Sequence, residues 1–228
     1  MTVDPDVGRL ARTIGDATRM RMLTLLMEGR ALTAKELAYG AGVGPATGTV
    51  HLRRLLADEL VTMRAQGRHK YFRLTSPQVA RCIESLLVLA QPARNVPTRV
   101  PHPLREARFC YDHLAGRLAV QLADALLERR LITRRASEFI PTAKGESWLP
   151  QIGINLDDLA RSRRKIGPTC MDWSERKDHI GGALGAELAR VFLEKKWIKR
   201  HPDSRAVMVT AAGRTALANH FGLSEPGE

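Results

Sequence analysis

Apolar positions change period along this chain, and each change marks a predicted element. After Thr33 the spacing is helical for a short stretch, with Leu37 and Ala38 as its inner face and Thr33 as N-cap. Gly40 and Gly42 bracket a tight turn in which positive φ is expected, and Val43 is expected as the apolar peg after it. Gly44 and Pro45 open a second helix, since the missing N–H of a proline costs nothing in a first turn. Along it Gly48, Leu52, Leu55 and Leu56 share one side, which leaves Thr47, Thr49, Val50, Arg53 and Arg54 to the other faces. The period then drops to strand-like alternation. Leu60, Val61 and Met63 enter a hairpin, Tyr71, Phe72 and Leu74 leave it, and Gln66-Gly67 marks its turn region.

Helix, tight turn, helix and hairpin, in that order, predict a winged helix-turn-helix. The second helix is then a reading head for a major groove. Thr49 offers a hydroxyl to base edges, and the methyls of Thr47 or Val50 suit a thymine methyl. From Leu60 to Ile83 there is no Asp or Glu, but there are Arg64, Arg68, Lys70, Arg73 and Arg81, with His69. A run of one sign beside such a motif is the footprint of phosphate contact. The plainer reading is an amphipathic helical pair with a solvated basic hairpin.

Three segments resemble the winged-helix repressors of the ArsR type. They are Ile14-Gly15-Asp16-Ala17-Thr18-Arg19 leading into Met22-Leu23, then Gly42 to Leu52, then Gly67 to Leu74. The resemblance covers roughly residues 7 to 90. It implies a homodimer, paired through the first helix and the helix after the wing at about Ser76 to Ala90, on a two-fold symmetric operator. It also implies that Gly44, Pro45, Thr47, Thr49, Val50, Arg53 and Arg54 with Arg68, His69 and Lys70 form the DNA-binding set. Metal-sensing members carry paired cysteines on the first helix of the motif, or an Asp/His/Glu set on the helix after the wing. Here Leu37-Ala38-Tyr39 fills the first place, and the second has Cys82 and Glu84 but no His. Neither of those metal sites carries over.

Residues 92–103 read PARNVPTRVPHP, four prolines that predict an extended linker between a DNA-binding domain over 1–91 and a second region over 104–228. The second region repeats itself. His113 to Arg134 aligns without a gap on His179 to Arg200. Each copy carries a helical apolar stripe, Leu118, Leu122, Ala125 and Leu126 in one and Leu184, Leu188, Val191 and Phe192 in the other. A short strand and a Thr-x-x-Gly helix start follow in both, over 139–145 and 206–213. The order helix, hairpin, helix echoes the N-terminal domain. It predicts two winged-helix-like halves, about 104–150 and 170–220, packed about a pseudo-two-fold. The fold class expected overall is mainly α with small β-hairpins, in the α+β class.

Both halves open with Cys, Asp and His: Cys110, Asp112 and His113, then Cys170, Asp172, Asp178 and His179. Duplicated halves would set these openings facing each other. Cys110, His113, Cys170 and His179 suit Zn²⁺ or another soft metal, the two thiols suit a switchable disulfide, and Phe109, Tyr111 and Trp173 suit a pocket for an organic effector. The bland alternative is buried small thiols and helix-capping histidines. Two-domain members of the same family carry a similar module, with Cys-Tyr-Asp-His-Leu-Ala-Gly and Cys-x-Asp-Trp stretches, and the resemblance assigns it no ligand.

Charge and composition narrow the classes. A net charge of +12 and a pI near 10.3 suit a polyanionic partner. Three cysteines, an odd number far apart, with no secretory signal visible, predict free thiols in a reducing cytoplasm. No apolar run is long enough to span a membrane. Ser174, His179 and Asp172 invite a hydrolase reading, but no Gly-x-Ser-x-Gly elbow exists, nor a Walker loop or Gly-x-Gly-x-x-Gly fingerprint. The basic cluster Arg161 to Lys165 is expected as a solvated loop. These observations point to a dimeric repressor on a palindromic double-stranded operator, with release set by a small-molecule, metal or thiol effector. It is expected not to be an enzyme. The rivals are an architectural DNA-binding protein without effector and a DNA-tethered Cys/His enzyme.

Overall fold

The computed structural model describes residues 6–90, 102–202 and 204–223. The chain divides into two compact units, Met1–Glu84 and Ser85–Glu228. The linker expected at 92–103 lies outside the described residues except for His102 and Pro103, which open a short helix.

The first unit begins with α1 (Val7–Ile14) and α2 (Ala17–Leu25), separated by Gly15 and capped anew by Asp16, whose side chain accepts from the N–H of Arg19. The sequence Gly-Asp-Ala-Thr-Arg is thus a helix break. Arg19 closes it by donating to the carbonyls of Arg12 (2.8 Å) and Thr13 (2.6 Å), the unsatisfied end of α1. Strand β1 (Leu32–Thr33) leads into α3 (Ala34–Gly40), and a tight turn into α4 (Pro45–Ala57). Thr33 is the N-cap of α3, as its position predicts. Glu36 reaches back to the Thr33 N–H at 2.7 Å and completes a capping box. Antiparallel strands β2 (Val61–Gln66) and β3 (His69–Leu74) form the hairpin, and β1 adds to the outer edge of β3. Helix α5 (Pro77–Leu89) follows, with its first turn capped by Ser76.

The two glycines of the turn differ from expectation. Gly42 has φ of +72°, as required. Gly40 is the last helical residue and has no positive φ. Its role is steric, since a Cβ there would lie 2.6 Å from Leu25 Cδ1. Gly48 serves the same purpose between α3 and α4, where a Cβ would lie 2.7 Å from the Cβ of Ala38. Gly48→Val is expected to push α4 off α3 and cost about 1–3 kcal/mol. A lowered urea midpoint of the N-terminal unit would register it, and an unchanged one would refute the close-contact argument.

The second unit opens with α6 (His102–Glu106) and then runs hairpin, helix, hairpin, helix twice. The first pass is β4 (Arg108–Cys110), β5 (His113–Ala115), α7 (Arg117–Glu128), β6 (Ile132–Arg135), β7 (Glu138–Pro141) and α8 (Ala143–Ile152). After α9 (Leu156–Arg161) the second pass is β8 (Thr169–Met171), β9 (Asp178–Ile180), α10 (Gly182–Glu194), β10 (Ile198–Arg200), β11 (Val207–Val209) and α11 (Ala211–Ala216). A π-helical turn over Leu217–Phe221 ends the described chain. The stripes of α7 and α10 fill a common core with Phe139, Trp148, Trp197 and Phe221.

Local detail repeats with the order. Thr142 accepts from Gly145 N–H at 3.1 Å, and Thr210 from Gly213 N–H at 3.0 Å. The N-terminal unit shares the helix-to-hairpin junction. Glu59, Arg130 and Lys196 all take φ near the left-handed region, at 54°, 57° and 56°. The next residue's N–H returns to the helix each time: Leu60 to Leu55 (3.0 Å), Leu131 to Leu126 (2.9 Å), Trp197 to Phe192 (2.9 Å). The two passes of the second unit are also exchanged. Phe109 N–H donates to the Arg205 carbonyl and Val207 N–H to that of Ala107. In mirror fashion, Phe139 N–H donates to Gly167 and Thr169 N–H to Ser137. Each first hairpin therefore pairs with the other pass's second hairpin, while β5 packs on α10 and β9 on α7.

Candidate nucleic-acid interface and Cys/His centre

The residues expected to face DNA fall on one helix and one hairpin. On α4, Gly48, Leu52 and Leu55 are buried, whereas Pro45, Thr47, Thr49, Val50, Arg53 and Arg54 are exposed. Val50 is 62% exposed. Val43, expected as a peg, is half-buried, and Ala41 beside it is the fully buried residue of the turn. Two members of the set are already engaged. Thr49 donates its hydroxyl proton to the Pro45 carbonyl at 2.9 Å, which leaves the oxygen lone pairs outward as acceptors. Arg54 reaches Asp58 at 3.3 Å and Thr13 Oγ1 at 3.0 Å, so its first duty is to tie α4 to α1. Asp58 is buried there and also accepts from Thr13 and pairs with Arg9. Arg53 stays exposed.

The hairpin shows Arg64, Arg68, His69 and Lys70 to solvent around a two-residue loop, Gly67-Arg68, closed by the Gln66–His69 pair. Gly67 has φ of +58°. At the base of α4, His51 Nδ1 lies 3.5 Å from Asp16 and 3.4 Å from Arg19, so the second helix is fixed to the α1–α2 break. The Arg19 N–H above all, helped by its guanidinium and His51, holds the Asp16 carboxyl below its ordinary value against the opposing effect of burial.

The second site lies between the two openings of the C-terminal unit. The β4–β5 register sets Cys110 opposite His113, and the β8–β9 register sets Cys170 opposite His179. The nine-residue spacing of the latter pair is closed by the loop over 172–177. One donor atom from each of the four side chains lies within 4.8 Å of every other. The two sulfurs are 3.9 Å apart, and the two imidazole centroids 5.2 Å. His113 and His179 are buried, with Cys110; Cys170 is half-buried. His113 Nε2 and both ring nitrogens of His179 have no hydrogen-bond partner.

Carboxylates stand behind both rings. Asp112 Oδ1 lies 3.2 Å from His113 Nδ1, and Asp172 Oδ2 lies 3.5 Å from His179 Nδ1. Asp112 is itself held by Arg164, so part of the basic cluster at 161–165 is committed to this site. Asp172 is fully buried and receives Arg108 (3.0 Å) and the Gly116 N–H (2.6 Å) on one oxygen. The other takes the Ser174 hydroxyl (2.7 Å) and the N–H groups of Ser174 and Glu175 (2.9 and 3.0 Å). Ser174 thus donates to Asp172 and accepts from Arg108 at 3.0 Å. Burial opposes the Asp172 charge, but Arg108, His179 and these donors hold its pKa at about 2. Burial also opposes charge on His113, yet the Cys110 sulfur and Asp112 outweigh it and raise the ring to about 10. Burial and the neighbouring His113 push His179 well below its ordinary value.

Two of the three aromatic residues expected to line an effector pocket are packed elsewhere. Phe109 is in the core with the Arg200 guanidinium 3.8 Å from its ring, and Trp173 is buried under Arg108 at 4.2 Å. Tyr111 occupies the β4–β5 turn at φ of 64°. A cleft of about 460 Å³ lies elsewhere, between α7 and the β11–α11 segment, lined by Gln121, Val209 and Leu217 among others. Sequence reasoning had marked Asp112 and Asp172 but not their roles, and had missed Arg108, Arg19 and Asp58. The spacing of Asp112 from His113 was a usable signal, whereas the pairing of Arg108 with Asp172 is not visible before the fold.

Residues 14–64 match the helix-turn-helix domain family. The chain is 37% identical over 224 residues, 97% of its length, to the uncharacterised HTH-type transcriptional regulator YdfF of Bacillus subtilis, covering 99% of that protein. It is 31% identical over 85 residues, 37% of each chain, to the HTH-type transcriptional regulator Rv0324 of Mycobacterium tuberculosis. Among solved structures, the homodimeric winged helix-turn-helix domain of Mb0332 from Mycobacterium bovis, described as a possible ArsR-family regulator, aligns over 43% of this chain and all of its own, at 22% identity and a TM-score of 0.37. No described helix is long and apolar enough to cross a membrane. With near full-length similarity to one such regulator, and a helix-turn-helix whose second helix and hairpin stand exposed, this chain belongs to the HTH-type transcriptional regulators.

Proposed function

We propose that the chain is an ArsR-type repressor that binds a palindromic double-stranded operator as a homodimer and is released by an event in its C-terminal unit. The observation that carries this is the exposed face of α4, with Thr47, Thr49, Val50 and Arg53, continued by the cationic tip Arg68-His69-Lys70. A helix presenting small residues and hydroxyls enters a major groove, and a cationic hairpin tip beside it holds phosphates or an adjacent minor groove. Exposed apolar residues on the flanking helices, Val7 and Leu10 on α1 and Leu89 on α5, suit pairing through those helices. A two-fold dimer sets its reading helices about 34–36 Å apart, in successive major grooves. The ArsR assignment rests on the three ordered motifs of the N-terminal unit.

The C-terminal unit is read as two winged-helix-like halves without reading heads. The shared left-handed junction residue and the Thr-capped helix after each second hairpin favour this reading. Neither half places a short helix and tight turn ahead of its long helix, so neither presents a groove-binding face.

Arg68→Ala is expected to weaken binding to every duplex and to flatten the dependence of log K on log salt by about one unit. Titrations of labelled operator at several salt concentrations measure it, and an unchanged slope removes Arg68 from the phosphate contacts. Footprinting on a randomised-site-selected operator tests the whole reading. Protection of a two-fold site supports it, and uniform binding along any duplex supports the architectural alternative.

A further inference from the structure

We propose that Cys110, His113, Cys170 and His179 form a closed, tetrahedral Zn²⁺ site that braces the β4–β5 hairpin to the β8–β9 hairpin. The donor set is two sulfurs and two imidazoles, the borderline-soft combination that selects Zn²⁺ over oxygen-seeking Mg²⁺ or Ca²⁺. Four donors gathered within 4.8 Å match one small ion. The sulfur separation is 3.9 Å. The edge of a tetrahedron with Zn–S bonds of ~2.3 Å is about 3.8 Å, so the thiols already stand at the required spacing.

Two further observations point inward at a ligand. His113 Nε2 and both ring nitrogens of His179 are buried without a hydrogen-bond partner, a costly arrangement that a metal bond relieves. Asp112 engages the Nδ1 of His113 and so leaves Nε2 as the outward donor, while Asp172 stands behind His179. Carboxylates in this second position fix the tautomer and orientation of ligating histidines.

The site uses all four tetrahedral positions for protein ligands, which leaves none for water or substrate and makes it structural or regulatory and not catalytic. Two thiolates balance the charge of Zn²⁺. The ligands are two thiolates and two neutral imidazoles, so binding releases the protons held on the sulfurs and rings to solvent and changes no oxidation state. Each half contributes one Cys and one His, so the ion joins two hairpins that lie far apart along the chain.

The test uses the full-length chain, stripped of metal under reducing conditions and titrated with Co²⁺. One equivalent per chain is expected, with the intense visible bands of tetrahedral Co²⁺ and a thiolate charge-transfer band, both lost on adding Zn²⁺. Zn²⁺ should also slow alkylation of Cys110 and Cys170 but not of exposed Cys82. Cys82→Ser should keep the spectrum, and Asp112→Asn should weaken Co²⁺ binding about ten- to a hundredfold. Cys110→Ser and His179→Asn should abolish it. Because those two variants risk misfolding, the unmodified chain decides. Weak, octahedral-type absorption or unprotected Cys110 and Cys170 overturns the site, and so does a metal-free chain that instead holds a Cys110–Cys170 disulfide. Operator binding is scored separately. A chain that binds Co²⁺ but no operator refutes the DNA reading alone, and a chain that binds operator but no metal refutes this inference alone.

Discussion

Asp172→Ala is expected to remove about 3–5 kcal/mol from the stability of the C-terminal unit, the usual loss when one partner of a buried ion pair is deleted. The Arg108 side chain is wholly buried and stacks on Trp173, so it cannot turn to water when its counter-ion goes. The Gly116, Ser174 and Glu175 N–H groups lose their acceptor at the same time. Trp173 fluorescence in a urea titration reports the change. The double replacement Arg108→Met with Asp172→Leu removes both charges and is expected to cost less than the single change. If Asp172→Ala leaves the midpoint in place, or the double replacement costs more, the pair does not carry the fold in this way.

Gly145→Ala is the second large effect. A Cβ at that position would lie 1.8 Å from the Leu131 carbonyl oxygen, a backbone atom that cannot swing aside. The same oxygen accepts the Thr142 N–H at 3.0 Å, so it is pinned by the cap of the same helix. The first turn of α8 must therefore lift from the end of α7, at a cost of about 3 kcal/mol, the upper end of ordinary overpacking. Gly213→Ala should behave alike, because its Cβ would lie 1.9 Å from the Trp197 carbonyl oxygen. Circular dichroism melts of the two variants provide the check. A drop in one but not the other would mean that the two junctions are not equivalent in energy.

Much of the N-terminal unit was legible because its signals are local. Thr33, Gly42, Gly44-Pro45 and the alternation from Leu60 to Leu74 each act within a few residues of chain, and the N-cap, turn, helix and hairpin stand where they place them. Strand β1 was not legible, since two residues have no period, and its existence depends on Tyr71 and Phe72 arriving beside it. Gly40 was misread because proximity to a turn suggested dihedral freedom, whereas the constraint is the Leu25 side chain on another helix.

The Cys/His cluster was legible for a different reason. Two copies of one opening implied two hairpins of the same kind, and a pseudo-two-fold axis running between them brings like residues together. The same logic did not place the aromatic residues. Phe109 sits in the core and Trp173 is consumed by Arg108, a cation whose partner lies far along the chain. Periodicity announces that a face is buried. It does not announce which buried charge waits for which.

The exchanged backbone pairing of the C-terminal unit has a consequence for how it can be taken apart. Hydrogen bonds that run from 107–109 to 205–207, and from 137–139 to 167–169, have the form of a contact between two like subunits, each lending an edge to the other. Here both subunits are on one chain. Association is thus intramolecular, its strength does not fall on dilution, and neither half retains its edge partners if expressed alone. A fragment ending after α9 should recover its pairing only by finding a second molecule, so the break between the passes is where a monomeric module would become an obligate two-chain one.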